Sequence, residues 1–443
     1  MIELYNHQKE ALEFIRRKKR CMIAFEAGVG KTYPTLEAIK QTEPKKVLII
    51  VPKTLIEKWC EEWKLFFSEP LVSISGRPKK EREVLIKTQR NLISNYELVR
   101  IESELIKEVG FDFVVLDESQ RIRGNSQIAK VCLEAFEDTP YVVLLTGTPM
   151  VKGPEDLFSQ LQLIGKPWRS RYHFENLYLA YSVKNRAVYR NLDHLKAIFE
   201  QYAIKKRRAE VLDLPRDIVE PHYLDMGPEQ GYEYEKLIEE CVMTLEEEEG
   251  QAKELKVRNI FVRAAQISDG FKAAESLCNH FSGSSKRKWL RENLEEVLAD
   301  YRHLVIWVIY LPTLDVVEDV CMQVGVPYFK IYGKVKNRDE TIRIWRKSGG
   351  VLAMQIATGG VGLNLEKASL QIFWRPPFTP GDFEQAKCRL VRIGQSRQVR
   401  SIILINRGTV DVGILGLIRF RDKAIGKVTS ANILDILKGG EYE

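Results

Sequence analysis

Residues 21–32 read Cys-Met-Ile-Ala-Phe-Glu-Ala-Gly-Val-Gly-Lys-Thr. The first five form an apolar run without polar alternation, the pattern of a strand buried on both faces of a parallel sheet. A turn with two glycines then closes on Lys31-Thr32, and a helical pattern follows, with Pro34 in its first turn, where a missing N–H is harmless. Strand, glycine-rich turn, Lys-Thr and helix is the arrangement that wraps backbone N–H groups around phosphate oxygens at the positive end of a helix. Gly28 and Gly30 are expected to shape the turn, Lys31 to reach the β- and γ-phosphates, and Thr32 to hold Mg²⁺. The full pattern has glycine where this chain has Phe25.

Apolar runs of the same kind recur in two blocks. The first continues through residues 46–52 (KVLIIVP), 91–95 (NLISN), 112–118 (DFVVLDE) and 141–147 (YVVLLTG). The second comprises 304–310 (LVIWVIY), 327–333 (PYFKIYG), 351–357 (VLAMQIA), 370–375 (LQIFWR) and 400–406 (RSIILIN). Alternation of such runs with helical patterns predicts two α/β units with parallel sheets. Between them, residues 152–284 show helical patterns without strand signals and read as a helical insertion. The expected division is therefore 1–151, 152–284 and 285–443. The acidic run Glu246–Glu249 reads as a solvated helix face or helix–helix loop.

The chain has 443 residues, too many for one ordinary core. Its 44% hydrophobic and 29% charged residues are the balance of a soluble globular protein. A net charge of +7 is compatible with a polyanionic partner and equally with an ordinary basic surface. The longest apolar run, Leu304–Leu311, is too short to span a bilayer, and the N-terminus lacks a signal-peptide core. Seven scattered cysteines without a CxxC pair suggest an intracellular, cytoplasmic chain with buried thiols.

Asp117-Glu118-Ser119-Gln120 comes straight off the apolar run FDFVVL. A carboxylate at the C-terminal end of a parallel strand lies beside the phosphate loop. Asp117 would hold Mg²⁺ through water and Glu118 would polarise the attacking water. Asp-Glu-Ser-Gln also resembles the DEAH/DEAQ box of superfamily 2 helicases, and the rest of the chain follows that family's order. Leu4-Tyr5-Asn6-His7-Gln8 resembles the Gln motif. Residues 48–52 with Trp59 resemble motif Ia, Ile93-Ser94-Asn95-Tyr96-Glu97 the next strand-end motif, and Thr146-Gly147-Thr148-Pro149 motif III. Residues 358–365 (TGGVGLNL) resemble motif V, and residues 385–395 (QAKCRLVRIGQ) motif VI. These last two, with 117–123 (DESQRIR) and Arg207–Pro215, are similar to the SWI/SNF-like group of DNA translocases.

The resemblance implies two RecA-like lobes with a helical insertion between them, clamping ATP and Mg²⁺. Gln8 would read the adenine edge. Gln120, Gly362 and Gln385 would also line the nucleotide, and Arg389 and Arg392 would face it, with Arg392 as the finger. Thr54, Asn95, Gly360 and Asn364 would hold a sugar-phosphate backbone, without sequence information. The implied partner is duplex, forked or branched DNA; no membrane partner is expected, and no protein partner is identified. The alternatives are an RNA helicase and a nucleotide-gated DNA clamp that does not turn over. Three departures stand out: Phe25 for an acidic residue, Gln120 for the commoner histidine, and Arg375 for an acidic residue after the run LQIFW. Lys205–Arg208 read equally as a DNA path or a solvated basic face. Trp168, Phe174 and their neighbours read as packing more than as a base-stacking surface.

Overall fold

The computed structural model describes residues 3–150, 153–183, 186–211, 217–247, 250–273, 278–335, 337–359, 363–392, 395–419 and 432–439. The chain forms two compact units, Met1–Asp213 and Leu214–Glu443.

The strands of the first unit are β1 (Arg20–Phe25), β2 (Val47–Val51), β3 (Val72–Ser73), β4 (Asn91–Asn95), β5 (Phe113–Asp117), β6 (Tyr141–Leu145), β7 (Leu179–Val183), β8 (Arg186–Tyr189) and β9 (Ala203–Lys206). Seven of them make a sheet in the order β3-β4-β2-β5-β6-β1-β9, parallel throughout. Every residue of β2 and β5 is buried. That is why these segments are continuous apolar runs: helices cover both faces of a parallel sheet. β7 and β8 pair as a separate antiparallel hairpin.

The second unit contains β10 (Ile218–Leu224), β11 (Phe271–Ala273), β12 (Cys278–His280), β13 (His303–Val308), β14 (Tyr328–Ile331), β15 (Gly350–Gln355), β16 (Leu370–Phe373) and β17 (Arg400–Asn406). Its parallel sheet runs β10-β17-β16-β13-β15-β14. β11 and β12 form a small antiparallel pair. The long helices Pro228–Glu247 and Gly250–Asp269 place Tyr234, Leu237, Val257 and Phe261 in one core with Trp307, Trp345 and Phe373.

The stretch 152–284 is therefore not a separate helical body between two lobes. β9 extends the first sheet, and β10 with the two long helices belongs to the second unit. β10 is half exposed at the sheet edge and contains Pro221, a residue an edge strand tolerates because one side of it needs no partner. Such a strand has no continuous apolar run, so it leaves no strand signal in the sequence. Glu248 and Glu249 of the acidic run, and Leu212–Pro215, lie outside the described residues.

Trp168 and Phe174 pack edge to face with 4.8 Å between ring centroids, both inside the first core. They are packing residues, as expected, while Tyr172 between them is strongly exposed.

Candidate nucleotide site and helicase motifs

The phosphate loop leaves β1 at Phe25 and ends on the helix Thr32–Thr42. Gly28 and Gly30 stand at φ 85° and 82°, where a β-carbon would be strained. Two carbonyls of the loop are held from the N-terminal helix: His7 Nε2 lies 3.0 Å from Val29 O, and Gln8 Nε2 donates to Gly30 O at 3.0 Å. Gln8 Oε1 accepts from Tyr5 N at 3.0 Å. Each end of the Gln8 amide thus makes one bond, to the loop and to its own helix start. Lys31 Nζ donates to Phe25 O at 3.0 Å, so the lysine spans its own loop. Phe25 is fully buried and meets His7 edge-on at 5.8 Å. The departure at this position places an apolar ring where the strand enters the core.

β5 delivers the carboxylates. Asp117 Oδ2 accepts from Trp59 Nε1 at 2.9 Å, Oδ1 accepts from Glu118 N at 2.9 Å, and the Asp117 carbonyl accepts from Tyr96 OH at 2.6 Å. Burial pushes the Asp117 carboxyl up to about 6; Glu118 acts in the same direction, while Lys31 and the Trp59 bond oppose it. A buried carboxylate driven toward neutrality beside a second carboxylate is an environment that a divalent cation relieves. Thr32 and Asp117 as the protein ligands suit Mg²⁺, which takes one or two protein oxygens and completes its shell from phosphate and water. No cluster of three or more metal-ligating side chains exists among the described residues.

Glu118 turns in the left-handed region, φ 53°. Gln120 Nε2 donates to Glu118 Oε2 at 2.6 Å, Thr146 Oγ1 donates to Gln120 Oε1 at 2.7 Å, and Thr148 N donates to Thr146 Oγ1 at 3.0 Å. Gln120 thus joins the carboxylate to the loop after β6. That loop approaches the phosphate loop closely: a β-carbon on Gly147 would stand 3.3 Å from Ala27 N. Ser119 Oγ donates to Gln160 Oε1 at 2.8 Å, and Gln160 Nε2 donates to Pro149 O at 2.8 Å, bracing the same loop from behind.

Thr54 is exposed in the turn Lys53–Leu55 after β2. Asn95 ends β4, opposite Val51, and caps the helix Tyr96–Ile101 by accepting from Leu98 N at 3.1 Å. The first sheet therefore gathers Thr54, Asn95, Asp117, Glu118 and the phosphate loop at its C-terminal edge, where parallel sheets bind ligands. The basic run lies beside them. Lys206 is in register with Phe25, its carbonyl accepts from Glu26 N at 3.1 Å, and its Nζ sits 2.6 Å from Glu10 Oε2.

In the second unit, Asn364 Oδ1 accepts from Glu366 N at 3.2 Å and its carbonyl accepts from Arg346 Nη2 at 2.5 Å. Gln385 lies on the helix Pro380–Lys387, with Arg389 and Arg392 just beyond it, all three half-buried. Gly360 and Gly362 lie outside the described residues. Gln395 Nε2 reaches Glu366 O, Ala368 O and Leu390 O at 3.1, 2.9 and 3.3 Å, tying motifs V and VI together.

Sequence reasoning did not foresee the contacts of Trp59, Tyr96, His7, Gln160 or Gln395. Trp59 and Tyr96 lie within recognised motifs, but an aromatic on an amphipathic helix reads as core, and nothing local reveals that its polar atom meets Asp117.

Residues 7–281 match the SNF2-related domain family, and residues 286–394 match the helicase conserved C-terminal domain. The chain is 24% identical to a protein named "Uncharacterized ATP-dependent helicase" from Mycoplasma pneumoniae, over 99% of this chain and 43% of that one. It is 25% identical to the mouse chromodomain-helicase-DNA-binding protein 1-like, over 100% and 51%. It is 24% identical to human SWI/SNF-related matrix-associated actin-dependent regulator of chromatin subfamily A member 1, over 89% and 40%. The chain thus spans about half the length, or less, of these curated relatives. Among solved structures, the Sulfolobus solfataricus SWI2/SNF2 ATPase core in complex with dsDNA aligns with a TM-score of 0.46 at 22% identity, over 98% of this chain and 94% of that one.

Proposed function

The chain belongs to the SNF2-related family, and on that premise we propose that it is an ATP hydrolase that translocates on duplex, forked or branched DNA. The observation that carries the reading is the hydrogen-bonded series from Glu118 through Gln120 to Thr146, set beside the phosphate loop. It joins the carboxylate that would polarise water to the segment that would report hydrolysis.

Lys31 binds the β- and γ-phosphates. Thr32 and Asp117 hold Mg²⁺, which when bound screens phosphate charge and supplies electrophilic activation. Glu118 orients the attacking water and takes its proton at a carboxylate oxygen. Gln120 keeps that carboxylate in place. Arg389 and Arg392 approach the γ-phosphate when ATP draws the units together, a contribution worth ~10³–10⁵ in rate in other phosphoryl-transfer enzymes. Gln8, Gly362 and Gln385 line the nucleotide, and Gln8 also holds the phosphate loop.

Thr54, Asn95, Gly360 and Asn364 grip the sugar-phosphate backbone. Binding therefore has weak sequence preference and a steep salt dependence. The names of the relatives, helicase and DNA-binding, favour DNA over RNA. Forks and branched recombination or repair intermediates are the proposed setting, in the cytoplasm. No described helix is long and apolar enough to cross a membrane.

The test is ATP turnover of the pure chain alone and with single-stranded, duplex, forked and four-way DNA and with RNA, beside Glu118→Gln. Stimulation by duplex or branched DNA, abolished in the variant, is the expected result. Stronger stimulation by RNA would replace DNA as substrate. Binding without turnover would leave a nucleotide-gated clamp.

A further inference from the structure

Arg375 is the one departure from the family pattern that the nucleotide site does not absorb. It lies two residues beyond β16 and its side chain is wholly buried. Three other charged side chains are buried with it. Lys286 Nζ stands 2.7 Å from Asp411 Oδ2 and 3.7 Å from Asp269 Oδ1. Arg375 Nη2 stands 3.0 Å from Asp411 Oδ1, and Nε 3.7 Å from Asp269 Oδ1. All four side chains are 0% exposed. Two cations and two anions leave the set neutral, so the unusual arginine is compensated where it stands.

Stability does not account for it. Replacing a buried ion pair by apolar side chains of similar volume is often neutral or favourable. Here Arg375 Nε, Nη1 and Nη2 lack any well-aligned hydrogen-bond acceptor despite complete burial. What the set does is fix geometry. Asp269 ends the long helix Gly250–Asp269, Lys286 opens the helix Ser285–Asp300, and Asp411 lies in the helix Val410–Arg419. Arg375 is pinned among the three. Its neighbour Trp374 is pinned too: its amide donates to Trp307 O and its Nε1 to Asp269 O, each at 3.0 Å.

From that anchor the chain reaches motif VI in a few stiff steps. Pro376 and Pro377 each have φ locked by the ring. The Arg375 guanidinium carbon lies 4.9 Å from the centre of the Phe378 ring, a cation–π contact across those prolines. Thr379 then caps the helix Pro380–Lys387, accepting from Asp382 N at 3.1 Å. Phe383 on that helix packs against Phe373 of β16 with 4.8 Å between ring centroids. Arg389 and Arg392 follow within one turn and a half of the helix end.

We propose that Arg375 is a positioning residue for Arg389 and Arg392: pinned between Asp269 and Asp411 and stacked on Phe378, it sets the direction in which motif VI leaves the sheet. This rests on the reading of those two arginines as the groups that meet the γ-phosphate.

Two full-length variants test it. Phe378→Leu removes the stacked ring and leaves all four charges. The double variant Asp269→Asn/Arg375→Met removes one charge of each sign, so the remaining Lys286–Asp411 pair stays balanced. Each is measured for melting temperature, amide hydrogen exchange over residues 380–392, kcat and KM for ATP with duplex DNA, and affinity for ADP with and without aluminium fluoride. The expected result is faster exchange over 380–392 with unchanged exchange over 285–300. The kcat should fall by up to about 10²-fold, the size of effect a misplacement of ~1 Å produces. KM and ADP affinity should stay near wild type, while the extra affinity conferred by aluminium fluoride is lost. Arg375→Lys, which keeps the charge, should restore part of kcat relative to the double variant. Unchanged exchange over 380–392, or unchanged kcat, in a folded Phe378→Leu variant overturns the inference, whatever the double variant does. If the wild-type chain hydrolyses no ATP, the proposed function fails on that result alone, and the exchange measurement still judges the anchor.

Discussion

Gln120 holds Glu118: its Nε2 donates to the Glu118 carboxylate at 2.6 Å while its Oε1 accepts from Thr146 at 2.7 Å. One amide therefore has its donor committed to the second residue of the Asp-Glu pair and its acceptor to the loop after β6. A histidine could make both contacts only in one tautomer, whereas glutamine presents a donor and an acceptor at any pH.

Removing either side of this bridge leaves Glu118 less well oriented. Gln120→Ala and Thr146→Val are expected to lower nucleic-acid-stimulated kcat by ~10–10²-fold with little change in KM for ATP. Gln120→Glu sets a second negative charge against Glu118 and should be worse. Steady-state kinetics decide this, and wild-type kcat in both single variants would dismiss the bridge as ornamental.

The Asp117 carboxyl carries a stability cost that depends on pH. Its folded value, about 6, lies above the ordinary value of 3.8 because burial, and then Glu118, disfavour the charge. The folded state thus holds its proton longer than the unfolded one. Stability is highest below 3.8, falls as pH rises toward 6, and stays at the lower level above it. Asp117→Asn should abolish turnover and remove this pH dependence: its stability relative to wild type should be more favourable at pH 7 than near pH 3.5 by on the order of 1–3 kcal/mol, the amide's loss of an acceptor for Trp59 Nε1 weighing equally at both. Denaturant titrations at the two pH values check the sign.

Trp59 Nε1 donates to Asp117 Oδ2 and so favours the charged form. Trp59→Phe keeps most of the ring and deletes the donor, at a cost of ~1–3 kcal/mol. Asp117 then holds its proton to higher pH. The Mg²⁺ concentration needed for half-maximal turnover should rise, and rise more at pH 6.5 than at pH 8. An equal rise at both would point to packing and not to charge.

His7 and Gln8 both hold the phosphate loop, yet only Gln8 is a candidate for reading the base. Losing either bond should weaken ATP binding by roughly 3–10-fold, the equivalent of ~0.5–1.5 kcal/mol. Gln8→Ala should also blunt discrimination between ATP and GTP, while His7→Phe should leave it intact. Nucleotide titrations with both triphosphates separate the roles, and equal discrimination in both variants would remove Gln8 from the base.

Gln395 meets three main-chain carbonyls while buried. Gln395→Ala leaves them without its donor and should destabilise the second unit by ~1–3 kcal/mol. A denaturation midpoint unchanged from wild type would contradict it.

Much of this protein is written locally. Strands covered on both faces, such as β2, β5 and β13, are apolar at all but a terminal position, so they stand out as unbroken runs. The phosphate loop is likewise local, because φ near +80° at two positions within three residues demands glycine. The Asp-Glu pair is legible because a parallel strand must end where the loop begins.

What lies at the sheet edges was not legible. β9 and β10 are half exposed and carry lysines, a proline and a histidine, so the boundary between the units falls at 213/214 and not where the apolar runs pause. Nor could the sequence say what a polar atom meets across the fold. Trp59 and Asp117 are 58 residues apart, and Lys286 and Asp411 are 125 apart. Arg375 was visible as a departure, but only its burial beside two aspartates and a lysine makes it an anchor. Backbone geometry and periodic burial act over a few residues and leave a local pattern. Neutralising a buried charge needs a partner at about 3 Å, and only the folded chain decides which residue that is.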